Sequence, residues 1–319
     1  MPSLSPYINL DRIEFIVTYQ CSGRCRHCSL GDMLNHTGGF PHISAPEAAR
    51  AVEQLAALFP IASVMTFGGE PLLYADAVCA IHAAAARCGI PARQLITNGY
   101  FTRDNTKRTQ IATDLKTAGV NDMLISVDAF HQEHIAVEEV HQFARYAVDA
   151  GIPGIYLHPA WVVNQSHNNT HNTKTKELLA QFGDLPIPVS DGNDIFMAGN
   201  AAKHLADYYD KPCLNMADTC GSMPYTGPLD DITSLSLVPN GDVLVCGSFV
   251  IGNFYREAMA DIITRYNPHE NPWMNALLSG GMSDLCRLAQ EKGIAVDAAS
   301  CYSICDMCRK IIKQTENIR

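Results

Sequence analysis

Cys21, Cys25 and Cys28 stand close together in the stretch Tyr19-Gln20-Cys21-Ser22-Gly23-Arg24-Cys25-Arg26-His27-Cys28. Three thiolates at this spacing wrap one polynuclear centre if the segment is a loop with its side chains turned inward, and Gly23 supplies the freedom for such a turn. Three thiolates on a four-iron cluster leave one iron open to a substrate or cofactor, which makes the site reactive. A structural zinc normally takes four protein ligands, so the alternative is a zinc completed by His27 or by a distant residue. Spacing alone leaves the two comparable. Seven further cysteines lie in the C-terminal third, at Cys213, Cys220, Cys246, Cys286, Cys301, Cys305 and Cys308, and the last three repeat the spacing of the first run.

The composition narrows the classes of function. The chain has 319 residues, 12 of them cysteine, with 33 Asp and Glu against 23 Lys and Arg and a net charge of -10. No run of Lys or Arg is present to release counterions or to pair with lipid headgroups, so neither nucleic acid nor an anionic membrane surface is expected as a partner. The apolar fraction of 47% is ordinary for a folded domain. No stretch is long and apolar enough to span a bilayer. Met1 to Asp11 lacks the apolar segment of a secretory signal, so a reducing cytoplasm is expected, where clustered cysteines hold metal more often than disulfides.

Positioning these thiols requires a scaffold, and the order of elements supplies one. Apolar runs predict strands at Ile13 to Thr18, Ala62 to Phe67, Gln94 to Thr97, Met123 to Val127, Gly154 to His158 continuing into Trp161 to Val163, and Ile195 to Met197. Helical spacing predicts helices at Ala45 to Leu58, Ala75 to Cys88, Thr106 to Ala118, His131 to Ala150 and Thr173 to Phe182. In the fourth, Val140, Phe143, Ala144, Ala147 and Val148 fall on one face. Ser44 with Glu47 reads as a capping box. Strand-helix alternation predicts a parallel sheet with right-handed crossovers, here a partial (β/α)6 TIM-like barrel over residues 1–200. After it, residues 201–319 read as a small cysteine-rich α+β domain. In it, Thr233 to Val238 and Val243 to Cys246 flank an Asn-Gly turn as a β-hairpin. Short helices follow near Tyr255 to Arg265, Pro272 to Leu278 and Met282 to Lys292. Cys79, Cys88 and Cys286 lie in helical apolar patterns and are expected as buried thiols.

The motifs now fall into register. The CxxxCxxC loop follows the first predicted strand, Gly68-Gly69-Glu70-Pro71 the second, Thr97-Asn98-Gly99 the third and Ser126-Val127-Asp128 the fourth, each at the C-terminal end where a parallel barrel builds its active site. Together they resemble the radical S-adenosylmethionine enzymes. The resemblance implies a [4Fe-4S] cluster on Cys21, Cys25 and Cys28 whose open iron chelates the methionine end of S-adenosylmethionine. It gives Gly68, Gly69 and Glu70 the methionine amino group, Ser126 and Asp128 the ribose hydroxyls, and His27 a place beside the adenine; Asn98 is included among the cofactor contacts. Asn164 sits near the end of the fifth strand, and Gly199-Asn200-Ala201 is similar to a family Gly-Arg-Ala with Asn in place of Arg.

The C-terminal cysteines resemble the auxiliary-cluster extensions called SPASM and twitch domains. That implies at least one auxiliary [4Fe-4S] cluster on Cys220, Cys246, Cys305 and Cys308, with Cys213 and Cys301 competing. The implied reaction is reductive cleavage of S-adenosylmethionine, with an electron from an external donor such as flavodoxin or ferredoxin, to a 5'-deoxyadenosyl radical that abstracts hydrogen from substrate carbon. The auxiliary cluster then takes up an electron. The first expectation for the substrate is a peptide or protein, the second a small metabolite for a dehydrogenase or rearrangement. A non-catalytic zinc protein is the alternative of another class. Asp128, Glu133 and Glu138 are too ordinary to be named as proton carriers, and no catalytic acid or base is assigned.

Overall fold

The computed structural model describes residues 4–36, 38–221 and 226–316. In chain order the elements are β1 (Ile8–Thr18), α1 (Ala45–Ala56), β2 (Ser63–Gly68), α2 (Ala75–Arg87), β3 (Ala92–Thr97), α3 (Asn105–Ala118), β4 (Asp122–Ser126), α4 (Val137–Asp149), β5 (Gly154–His158), β6 (Ala160–Trp161), α5 (Thr170–Leu179), β7 (Asn193–Asp194) and α6 (Gly199–His204). Then come β8 (Ile232–Leu237), β9 (Asp242–Val245), β10 (Phe249–Asn253), α7 (Met259–Arg265), α8 (Pro272–Glu291) and α9 (Ile304–Glu316). The chain divides into two compact units. One comprises Arg12–Tyr208 with Leu237–Gly241; the other comprises the described residues before Arg12, Tyr209–Ser236 and those from Asp242 onward.

In the first unit β1 to β5 lie side by side in sequence order and pair in parallel throughout. This is the mixed α/β fold with a central parallel sheet that strand-helix alternation predicts. Side chains alternate along each strand. Ile13, Phe15, Val17, Val64, Leu95, Met123, Ile125 and Leu157 are buried. The intervening Glu14, Ile16, Met65, Gln94, Leu124 and Tyr156 are half-buried or exposed. That second face carries a polar chain: Arg12 donates to Glu14 at 2.7 Å and to Gln94 at 2.9 Å, and Gln94 donates to Asp122 at 2.6 Å. A sixth parallel position is reduced to a bridge from Leu157 to Val189 and a two-residue pairing of β6 with β7. The strand expected at Ile195 to Met197 therefore falls two residues earlier, and those residues instead lead into α6.

Other differences have local causes. The helix expected from His131 starts as a short 3-10 turn, because the Asp128 carboxylate accepts the backbone N–H of Phe130 and of His131, each at 3.0 Å; α4 proper begins at Val137. α5 begins three residues early, since Asn169 caps it by accepting from Asn172 N at 2.8 Å. Ser44 is the N-cap of α1 but its side chain makes no cap hydrogen bond. Cys88, expected buried, is exposed: it is the C-cap residue just beyond the last turn of α2.

In the second unit β10, β9 and β8 lie in that order, and β8 neighbours β1. Ile232 N donates to Tyr7 O at 2.8 Å. The two helices expected at Pro272 to Leu278 and Met282 to Lys292 are the halves of α8, which is kinked at Gly280 and Gly281. The kink frees N–H groups of Met282 and Ser283, which donate to Asp218 O and Met216 O. β10 and α9 are additions to the expected set. Among the described residues no helix is long and apolar enough to cross a membrane, and all twelve cysteines are free thiols.

Candidate active site

The loop after β1 is fastened at three places. At the first, Gly69 N donates to Thr18 O and Glu70 N to Gln20 O, both at 2.8 Å. The two glycines make this approach possible: a Cβ on Gly68 would lie 2.6 Å from Thr18 O, and one on Gly69 only 2.1 Å from Gln20 O. At the second, Asn98 Nδ2 donates to Ser22 Oγ at 3.1 Å and to Cys21 Sγ at 3.7 Å, while Ser22 Oγ donates to Tyr100 O at 2.6 Å. At the third, Asn200 N donates to Cys28 O at 2.9 Å and Asn200 Nδ2 to Cys25 O at 3.3 Å. Gly199, left-handed at φ 55, lets α6 come this close, for its Cβ would stand 2.4 Å from Ser29 O.

Cys21, Cys25 and Cys28 share the loop, and Cys25 is buried. Burial first, then the Glu70 charge, pushes the Cys21 thiol up to about 12. Burial also raises Cys25, with Asp128, Cys21 and Cys28 adding to it. Cys21 and Cys25 therefore resist ionising without a cation beside them. Gly23 leaves the inside of the loop to sulfur, since its Cβ would lie 3.3 Å from Cys25 Sγ and 3.8 Å from Cys21 Sγ.

Glu70 is fully buried and accepts from Thr97 Oγ1 at 2.7 Å, Asn98 N at 2.8 Å and Leu72 N at 2.9 Å. Burial lifts its carboxyl to about 7, against these donors. Asp128 is likewise fully buried. Besides the two backbone N–H groups it receives His131 Nδ1 at 2.7 Å and Ala160 N at 3.2 Å. Burial opposes its ionisation, but His131, His27 and these donors outweigh it and hold the carboxyl well below the usual range. Its oxygens thus fasten its own loop and the start of β6. Ser126 is buried at the end of β4, in register with His158. His158 in turn contacts Ser190 Oγ at 2.8 Å and Asn193 Nδ2 at 2.7 Å. Asn164 is exposed and caps its own turn at Ser166 N.

His27 lies 5.0 Å from the Phe130 ring and 4.8 Å from the His131 ring, centre to centre. Burial lowers its imidazole to about 4, and its Nδ1 has no hydrogen-bond partner. Cys25 Sγ and ring nitrogens of His27 and His131 lie within 4.8 Å of one another, a set that the three cysteine sulfurs do not form. His131 is the residue that sequence reasoning missed, while Asn200, singled out in Gly199-Asn200-Ala201, makes its contacts with the backbone of the cysteine loop. His131 was hidden inside a predicted helix, although its i,i+3 spacing from Asp128 after a strand is a signal.

In the second unit Cys220, Cys246, Cys305 and Cys308 interact electrostatically in every pairing. Burial, then Cys246 and Cys305, pushes Cys220 up to about 12. Burial is also the main cause of the rise at Cys246, Cys305 and Cys308. Cys246 is left-handed at φ 51, an unusual backbone for a residue with a Cβ. Cys301 turns elsewhere: it donates to Asp297 O at 3.5 Å and receives Lys310 Nζ at 3.5 Å. Cys213 is exposed.

Residues 15–162 match the sequence profile of the Radical SAM superfamily. The GTP 3',8-cyclase of Mycolicibacterium smegmatis is 33% identical over 120 residues, 38% of this chain and 32% of that protein. The GTP 3',8-cyclase of Rhodopirellula baltica is 27% identical over 158 residues, 46% of this chain and 41% of that protein. The chain thus matches these relatives over less than half of their length. A crystal structure of BtrN with AdoMet and 2-DOIA aligns with 90% of this chain and 93% of its own at 18% identity and a TM-score of 0.45.

Proposed function

Because residues 15–162 belong to the Radical SAM superfamily, we propose that the chain reductively cleaves S-adenosylmethionine and abstracts hydrogen from a small metabolite. The observation that carries this reading is the triply fastened loop of Cys21, Cys25 and Cys28 at the C-terminal edge of the parallel sheet. The donor set fits a [4Fe-4S] cluster: one buried and two half-buried thiols share the loop, and the three sulfurs are not drawn into the close set a single ion requires. When bound, the cluster supplies one electron to the sulfonium, giving methionine and a 5'-deoxyadenosyl radical. Cys21, Cys25 and Cys28 hold it, and Asn98 and Gly23 donate N–H groups to Cys21 sulfur. Gly68, Gly69 and Glu70 fix the loop and place the turn against which the methionine end binds. His27 offers its unpartnered Nδ1 near the adenine. Ser126 lies where the ribose is expected, and Asp128 acts there through the loop it orders.

Radical SAM enzymes need a one-electron donor, and flavodoxin or ferredoxin is the class assigned here, in a reducing cytoplasm. Residues 1–200 make the radical domain and 201–319 the auxiliary domain in this reading. Cys220, Cys246, Cys305 and Cys308 hold one auxiliary [4Fe-4S] cluster, supported by their mutual interactions, with Cys213 and Cys301 outside it. A small metabolite is favoured over the peptide because the matching relatives are named for a reaction of GTP. The test is transfer of deuterium from labelled candidates into 5'-deoxyadenosine. Label arriving from a small polar metabolite supports the reading; label arriving only from a peptide overturns the substrate assignment.

A further inference from the structure

Cys25, His27 and His131 form a second, smaller donor set within the same loop region, and Asp128 stands behind it. The sulfur and the two ring nitrogens lie within 4.8 Å of one another. Tetrahedral zinc with ordinary bond lengths holds such atoms about 3.3 to 3.8 Å apart, so closing the set takes about an ångström of side-chain movement. The His131 ring contacts the fully buried Asp128 through Nδ1 at 2.7 Å, which leaves Nε2 for a ligand. A carboxylate behind a ligating histidine is the arrangement that fixes ring orientation at zinc sites. The Nδ1 of His27 is buried and has no partner in the protein. One thiolate and two imidazoles suit a borderline divalent ion, and three protein ligands leave a fourth position open.

We infer that the chain without its iron binds one zinc ion at Cys25, His27 and His131, and that this ion competes with cluster assembly for Cys25. The competition rests on the assignment of Cys25 to the cluster; the zinc site itself rests on the geometry above. Binding displaces the Cys25 thiol proton to solvent, and no electron is transferred. Zinc at this site occludes the loop until it is removed, so iron loading depends on the zinc available.

The experiment uses the full-length, reduced, iron-free chain carrying Cys220→Ala, Cys246→Ala, Cys305→Ala and Cys308→Ala, so that the C-terminal set of four thiols does not contribute. Co2+ is titrated as a spectroscopic probe and then displaced with Zn2+. One equivalent with tetrahedral d–d bands is expected. Adding His131→Ala, or His131→Asn should the first variant fold poorly, removes that equivalent, and Asp128→Asn weakens it by about tenfold or more. In the chain with all its cysteines, zinc loaded beforehand slows iron uptake at Cys21, Cys25 and Cys28, and His131→Asn abolishes the delay while still accepting iron. Cobalt binding that ignores His131 overturns the inference, as does zinc that leaves iron uptake unchanged. A chain that never takes up iron contradicts the radical reading instead, so the two failures are distinguishable.

Discussion

At the scale of single residues, Asn98 is placed to tune the site. Its side-chain N–H reaches Cys21 sulfur, while its Oδ1 accepts from Tyr100 N at 2.9 Å. Hydrogen bonds to cluster sulfurs raise the reduction potential. Asn98→Ala is therefore expected to make the cluster harder to reduce, shown by a more negative midpoint in an EPR titration, and to slow cleavage of S-adenosylmethionine about tenfold or more. An unchanged midpoint with full iron would refute this role. His82 gives a prediction away from the site. It is fully buried against Thr66, with Nε2 2.8 Å from Oγ1. Burial, then Arg93, lowers it from 6.5 to about 3. The folded chain keeps it neutral while the unfolded chain protonates below its ordinary value, so its contribution is complete above about pH 6.5 and is lost as pH falls toward 3. The stability advantage of the wild type over His82→Gln is expected to shrink by about 2 kcal/mol between about pH 7 and about pH 5, in denaturant titrations. A pH-independent difference would show that His82 is not held neutral. The cysteine loop was legible in the sequence because its chemistry is local. His131 was not, because its role depends on Asp128 pulling the chain out of helix.

At the scale of elements, the fold was read from apolar runs, and β2 to β5 follow them closely, while β1 begins at Ile8, ahead of the expected Ile13. The sixth strand was not legible, because the parallel pairing there shrinks to a bridge at Val189 and the two polar residues Asn193–Asp194, which carry no apolar run. α9 and β10 were missed for another reason: β10 is a short strand ending in Gly252-Asn253, and α9 starts inside the cysteine run, which reads as a ligand motif before it reads as a helix. The junctions between elements are where backbone fit decides the outcome. Gly69→Ala puts a methyl group 2.1 Å from Gln20 O. It is expected to cost on the order of 3 kcal/mol and to lose iron from the first loop. Gly89→Ala, with φ +73 and open space around it, is expected to cost about 1 kcal/mol and keep its iron. Thermal unfolding with iron analysis checks both, and equal effects would show that the contact of Gly69 with Gln20 does not hold the loop.

At the scale of the whole chain, the division into two units was only partly visible. The start of β1 is counted with the C-terminal unit through partners such as Tyr7 with Ile232; pairings so distant in sequence leave no local trace. The two sets of thiols were visible, and the structure gathers Cys220, Cys246, Cys305 and Cys308 from segments that spacing alone does not connect. The proposal in its sharpest form gives the two sets separate roles, the first in cleaving S-adenosylmethionine and the second in product formation. The most direct measurement is 5'-deoxyadenosine formed anaerobically from S-adenosylmethionine and dithionite by the wild type, Cys25→Ala and Cys305→Ala, each with its iron counted. The wild type is expected to carry about eight irons and form 5'-deoxyadenosine. Cys25→Ala is expected to form none, and Cys305→Ala to fall to about four irons while still cleaving. A wild type that holds zinc with negligible iron and forms no 5'-deoxyadenosine would contradict the account.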